Sequence, residues 1–112
     1  MLLSHLDFLK HISEEIDFIL EKTSGKDQKE VFEDATLSRA IIRSLEIIGE
    51  ATKKLPLDFT SQYPEVEWKS MAGTRDRLIH HYFGVDYDIV WDIIVHKLPE
   101  LQFRINSIIN AQ

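Results

Sequence analysis

Between Arg75 and Tyr82 the chain reads Arg-Asp-Arg-Leu-Ile-His-His-Tyr, which places two guanidiniums, two imidazoles, a carboxylate and a phenol within eight residues. An imidazole can take or deliver a proton near neutral pH, and a guanidinium can hold a phosphate through two parallel hydrogen bonds. Side by side they suit a reaction that moves a proton next to a stabilised anion. On a continuous helix, at about 100° per residue, Trp68, Met71, Ala72, Leu78, Ile79 and Tyr82 share one stripe, and Arg75 falls in its middle. Burying an unpaired guanidinium costs on the order of several kcal/mol. Arg75 must therefore meet a carboxylate such as Glu46 or Glu50, line a cleft, or sit at a subunit interface where an anion reaches it. The residues alone leave the structural and the functional reading open.

The same helical spacing sorts the remaining groups. Asp76 and His80 stand at i,i+4, where a carboxylate can orient an imidazole and raise its basicity. Arg77 and His81 form a second such pair on the outer face and read as supporting charge. Tyr82 returns to the side of Arg75, as an aromatic with its hydroxyl at the rim. Adjacent helical residues diverge by about 100°, so His80 and His81 cannot share one ion on a regular helix. The chain has no cysteine, no Glu-x-x-His and no His-Glu-x-x-His, so no metal is expected. Phosphate-cradling Gly loops and Gly-x-Ser-x-Gly elbows are absent too, and no cofactor is expected.

The elements that must position these groups are helical. Strand signals are nearly absent, and 3.6-residue periodicity recurs. Leu2, Leu6, Leu9, Ile12, Ile16, Ile19 and Leu20 predict a first helix over about 2–22. Thr23 to Asp27 reads as a loop with a Gly stop. A second helix is predicted over about 28–54, turning Val31, Ala35, Leu37, Ile41, Leu45, Ile48 and Ala51 inward until Pro56 ends it. Leu57 to Tyr63 reads as an irregular crossing. Pro64 suits the first turn of a third helix running to about Tyr82, with a break at Gly73. Asp86 is placed to N-cap a C-terminal element over about 86–109, which Pro99 restarts or kinks. Trp68 and Trp91 are expected in the core. The prediction is all-α: an up-and-down bundle of four to five helices in one domain, 1–112.

Composition narrows the class further. Of 112 residues, 44% are hydrophobic, with four Gly and three Pro, which fits a folded domain. Apolar runs are a few residues long, so no membrane span is expected. The start, Met1-Leu2-Leu3-Ser4-His5, meets Asp7 at once, unlike a signal peptide, and a cytoplasmic location is expected. Net charge is −6, so bulk electrostatic binding of nucleic acid is not expected. That charge is uneven: residues 1–34 hold nine acids against four lysines, whereas 63–83 balance three acids with three bases. Lys69, Arg75, Arg77, His80 and His81 gather around Asp76, which leaves room for a local anion site.

The order Arg75-x4-His80-x-Tyr82 resembles the Arg-x4-6-His signature of the HEPN superfamily, in the form typical of HepT-like toxins. Ser44 to Ala51 is similar to that family's Gly-Glu-Ala segment, and Trp68 to Gly73 to its Trp-to-Gly approach. His81 to Tyr87, Val90-Trp91 and Leu98-Pro99 follow in the family's order. The resemblance implies a HEPN-like bundle, a homodimer, and a metal-independent ribonuclease of a toxin–antitoxin system acting in the cytoplasm. It assigns Arg75 and His80 as the catalytic pair and RNA as substrate, attacked by its own 2′-OH. Asp76 occupies the polar slot after Arg, where HepT-like proteins more often carry Asn. The resemblance also makes Tyr82 the acceptor of AMP from an MNT-type nucleotidyltransferase antitoxin. Arg75 and His80 would lie about 140° apart on an ideal helix. Either the helix is re-set at Gly73 or two protomers supply complementary halves. Two other readings stay open: a non-catalytic nucleotide-binding partner of a nucleotidyltransferase, and a purely structural dimerisation domain.

Overall fold

A computed structural model describes residues 4–81 and 84–112; for residues 75 and 79–81 it describes the backbone alone. Helix α1 spans His5–Thr23. Ser4 starts it through a reciprocal cap: its hydroxyl accepts from the Asp7 amide, and the Asp7 carboxylate accepts from the Ser4 amide. Leu9, Ile12, Ile16 and Ile19 are wholly buried, as the periodicity predicts, while Leu6 and Leu20 are half-buried. Gly25, at φ 74°, turns the chain through the left-handed region after α1, the Gly stop expected of this loop.

The long second helix is two helices. α2 runs Gln28–Glu33 and α3 Ala35–Lys53. Asp34 leaves helical geometry at ψ 102°, and its carboxylate accepts from the Leu37 amide, capping α3. Such a cap stabilises by about 1 kcal/mol and competes with continuing the helix. The break re-phases the chain, so Ala35, expected inward, is exposed, and Ser38 is buried in its place. Beyond it Ile41, Leu45, Ile48 and Ala51 are buried as predicted. α3 is the central element, packed on α1 and on the motif-bearing segments that follow.

Within the Leu57–Tyr63 crossing lies a short helix, α4 (Leu57–Thr60), which buries Phe59. The third predicted helix differs most from expectation. It begins at Trp68, not Pro64, as α5 (Trp68–Ala72), and breaks at Gly73 as expected. It resumes as α6 (Thr74–Leu78) and then stops, four residues short of Tyr82. Ile79–His81 form strand β1, paired antiparallel with β2 (Gly84–Val85), Ile79 opposite Val85 and His81 opposite Gly84. Tyr82 and Phe83 lie outside the described residues. The Asp86 amide closes the hairpin onto the Leu78 carbonyl at 2.9 Å.

Asp86 then caps α7 (Tyr87–Asp92), accepting from the amides of Asp88 and Ile89, as its position predicts. The C-terminal element passes through a π turn at Ile93–Lys97 into α8 (Leu98–Asn110), with the Leu98 amide reaching back to the Ile93 carbonyl. Pro99 explains the restart. It brings no N–H and its ring crowds the preceding turn, so the widened turn absorbs the mismatch without ending the helix. α8 packs on α1 through Ile105 and Ile108, beside a Ser13–Asn106 hydrogen bond of 2.8 Å. Trp68 and Trp91 are half-buried against the core. The fold is the predicted all-α bundle with one small hairpin at the motif. No described helix is long and apolar enough to cross a membrane.

Candidate active site

The motif begins on α6, a single helical turn fixed at both ends. Thr74 is buried, and its hydroxyl donates to the Ser70 carbonyl at 3.1 Å. Leu78, 1% exposed, seats the other end in the core. Positions 75, 76 and 77 lie between these anchors, so the backbone that carries Arg75 is held by packing, not by solvent-exposed contacts. α5, one turn earlier, is clamped in turn. The Trp68 indole donates to the Tyr63 carbonyl at 3.0 Å, and Met71 is buried against α3.

That last contact gives the Gly-Glu-Ala segment of α3 a physical purpose. A Cβ added at Gly49 would stand 3.3 Å from the Met71 carbonyl oxygen and 3.4 Å from that of Ala72. Glycine here lets the backbone of α5 lie against α3, which sets where α6 starts. Sequence reading placed Gly49 in the motif's neighbourhood without finding this close approach.

Because α6 stops at Leu78, four helix-based expectations fail. Asp76 and His80 are not an i,i+4 helical pair, since His80 lies in β1. Neither are Arg77 and His81, for the same reason. The 140° separation of Arg75 and His80 assumed a helix that does not reach His80, and so does the shared stripe of Arg75 and Tyr82. Re-setting at Gly73 does occur, at φ −90° and ψ 6°, but it precedes both Arg75 and His80. The side chains of Arg75, His80 and His81, and the whole of Tyr82, lie outside what the structure describes.

Two members of the cluster are fully described. Asp76 and Arg77 are both exposed, and the Arg77 guanidinium donates to the Ser70 hydroxyl. Sequence reading missed Ser70, although a separation of seven residues, two helical turns, was signal enough. Glu46 and Glu50, the suggested partners of Arg75, lie 3.9 and 3.6 Å from the Arg43 guanidinium. Among the described residues no group of three or more His, Asp or Glu side chains could hold a metal ion.

With this geometry in place, the comparisons with known proteins become informative. Residues 12–108 match the model of the family described as ribonuclease HepT-like. The chain is 44% identical over 105 residues to a protein of Caldanaerobacter subterraneus subsp. tengcongensis named as a candidate RNase, covering 94% of each. A similarly named protein of Methanocaldococcus jannaschii is 48% identical over 91% of this chain and 84% of its own. A third, named as a candidate ribonuclease HepT, from Thermococcus cleftensis, is 41% identical over 94% of this chain and 96% of its own. No solved structure matches the chain significantly.

Proposed function

The chain belongs to the HepT-like ribonuclease family, and we propose that it is a metal-independent endoribonuclease, the toxin of a toxin–antitoxin pair, acting as a homodimer in the cytoplasm. What carries this reading is the family match across residues 12–108, together with the complete Arg75-x4-His80-x-Tyr82 order inside it. In the proposed reaction the 2′-OH of one ribose attacks the adjacent phosphorus. The P–O bond to the next 5′ oxygen breaks, leaving a 2′,3′-cyclic phosphate and a 5′-hydroxyl. His80 takes the proton from the 2′-OH or returns one to the leaving oxygen. Arg75 holds the non-bridging oxygens of the phosphorane with two parallel hydrogen bonds, where charge builds up. Asp76, Arg77 and His81 supply supporting charge.

The hairpin favours this arrangement over a helical one. His80 lies in strand β1, two residues past the one-turn helix that carries Arg75, so the two are not held to a helical angle. On a helix, positions 75 and 80 would diverge. The test is cleavage of single-stranded RNA by purified protein in EDTA. His80→Ala should lower the rate by about 10²–10⁴ and Arg75→Ala by about 10²–10³, with helical content unchanged by circular dichroism. A folded double variant that still cuts RNA overturns the enzyme reading.

Tyr82 is proposed as the control point: with an MNT-type nucleotidyltransferase antitoxin its phenol oxygen attacks the α-phosphorus of ATP, AMP is transferred and pyrophosphate leaves. The adenylate adds bulk and a negative charge next to the proposed catalytic pair, and both oppose an incoming RNA phosphate. Incubation with that partner and ATP should add one adenylate to the chain by mass spectrometry and silence cleavage. Tyr82→Phe should gain no mass and stay active; modification at another residue would remove Tyr82 from the scheme.

A further inference from the structure

A cleft separate from the proposed catalytic pair opens between α3, α5–α6 and the C-terminal element. Its volume is about 120 Å³, roughly ten times what one water needs. The floor is apolar and rigid: Leu45, Ile48, Val66, Met71, Ile93 and Leu98 are each no more than 7% exposed. The rim carries charge of both signs. Arg104 is already matched, gripping the Glu100 carboxylate through two nitrogens at 3.1 and 2.9 Å. Arg77 and Lys97 are not: among the described residues neither has a carboxylate within 4.0 Å, and the guanidinium of Arg77 rests on the neutral Ser70 hydroxyl. Glu65 and Glu67 complete the rim, both exposed.

An apolar floor rimmed by two cations and two carboxylates that form no ion pair among the described residues matches the parts of a nucleotide. A base ring has two apolar faces and would cover the buried floor. A phosphate would answer Arg77 and Lys97. An exocyclic amine, carried by adenine, cytosine and guanine but not by uracil, would donate to Glu65 or Glu67. A purely apolar ligand would leave the cations unanswered, and a bare anion would leave the floor uncovered. Arg77 also shares the one-turn helix α6 with Arg75, so a strand bound at the cleft is tethered to the element that carries the proposed catalytic arginine.

We propose that this cleft holds one amine-bearing nucleotide of the RNA flanking the cut, with Arg77 and Lys97 on its phosphate and Glu65 and Glu67 selecting adenine, cytosine or guanine over uracil. The inference rests on the ribonuclease reading for its RNA source, so its test does not depend on cleavage. Binding is measured by fluorescence anisotropy with the His80→Ala protein and 2′-O-methyl oligonucleotides of A, C, U or G, alongside free AMP and CMP. Adenine, cytosine and guanine oligomers should each bind about tenfold tighter than uracil. The preference should flatten in the Glu65→Gln/Glu67→Gln protein, while Arg77→Ala/Lys97→Ala should weaken all four together. Leu101→Trp, which fills the cleft from a half-buried position, should abolish the preference.

Equal binding of all four oligomers overturns the inference, as does a preference that survives Leu101→Trp. Free AMP binding as tightly as the oligomer overturns the RNA assignment in favour of a free-nucleotide site. If Leu101→Trp instead splits a dimer in sedimentation, a second copy occupies the cleft and the nucleotide does not. An unmutated chain that binds with the stated preference but never cuts RNA fails the ribonuclease reading while leaving this one standing.

Discussion

Capping and catalysis place opposite demands on a charged side chain, and Asp7 illustrates the first. Its carboxylate is held below the usual value of 3.8, chiefly by the Ser4 amide and then by the Ser4 hydroxyl, with Lys10 adding a small attraction against a slight burial penalty. The unfolded chain therefore binds this proton more readily than the folded one, and stability rises with pH across the interval. The contribution is complete above 3.8, declines as pH falls through that value, and is gone below the folded carboxyl's own lower value. Asp7→Asn should accordingly lose less stability than the unmutated chain when both are taken from pH 5 to pH 2.5 and unfolded in urea. Equal losses would show that the cap does not hold its charge in solution. In the proposed reaction Arg75 and His80 face the second demand: one must keep its charge and the other must exchange a proton. The backbone of α6 supports them by burying uncharged anchors, Thr74 and Leu78, and leaving the charged positions between them.

Between neighbouring elements, the tightest constraint on the motif is the seat of α5 on α3. Gly49→Ala gains up to about 1 kcal/mol of helix propensity in α3. The new methyl, however, meets two backbone carbonyls of α5, which cannot rotate aside as a side-chain end would. Overpacking of this kind costs about 1–3 kcal/mol, so the net change should be a destabilisation of roughly 1 kcal/mol. The melting temperature should fall by about 4 °C. RNA cleavage should fall further than the stability loss explains, because the displaced segment leads directly into α6. A rise in melting temperature would mean that α5 yields freely and does not fix the motif. The same elements show what was legible in the sequence. α1, the body of α3 and the Asp86 cap were readable because burial there follows an unbroken 3.6-residue period or a cap residue at a clear boundary. The break at Asp34 was hidden, since Val31 and Ile41 fit one long helix and the competing cap leaves the apolar pattern almost intact. The stop at Leu78 was hidden for a related reason. No Gly or Pro falls between Thr74 and Phe83, and the helix gives way to a short hairpin pairing with Gly84–Val85 that the apolar period does not announce. The cleft was invisible because Lys97 reaches the Ser70–Arg77 pair only through packing.

For the molecule as a whole, the shortened α6 removes one argument for a two-protomer site. An angular gap between Arg75 and His80 on one helix would have called for a second chain, and His80 is not on that helix. The family reading still proposes a homodimer, and the two arrangements separate in a mixing experiment. Arg75→Ala and His80→Ala proteins are each expected to be inactive. Co-refolded in equal amounts, half of the dimers carry one copy of each. If every site takes its arginine from one protomer and its histidine from the other, each mixed dimer has one site with both groups intact and one with neither. Activity should then return to about a quarter of that of the unmutated dimer. If each site is built within one protomer, every site in every dimer lacks a group, and the mixture stays as inactive as its parts. The measurement also guards against misfolding, because a variant that fails to fold cannot donate its remaining group. Recovery near one quarter would make dimerisation part of the catalytic machinery. An inactive mixture of demonstrably mixed dimers would confine the chemistry to the α6–β1 segment of a single chain.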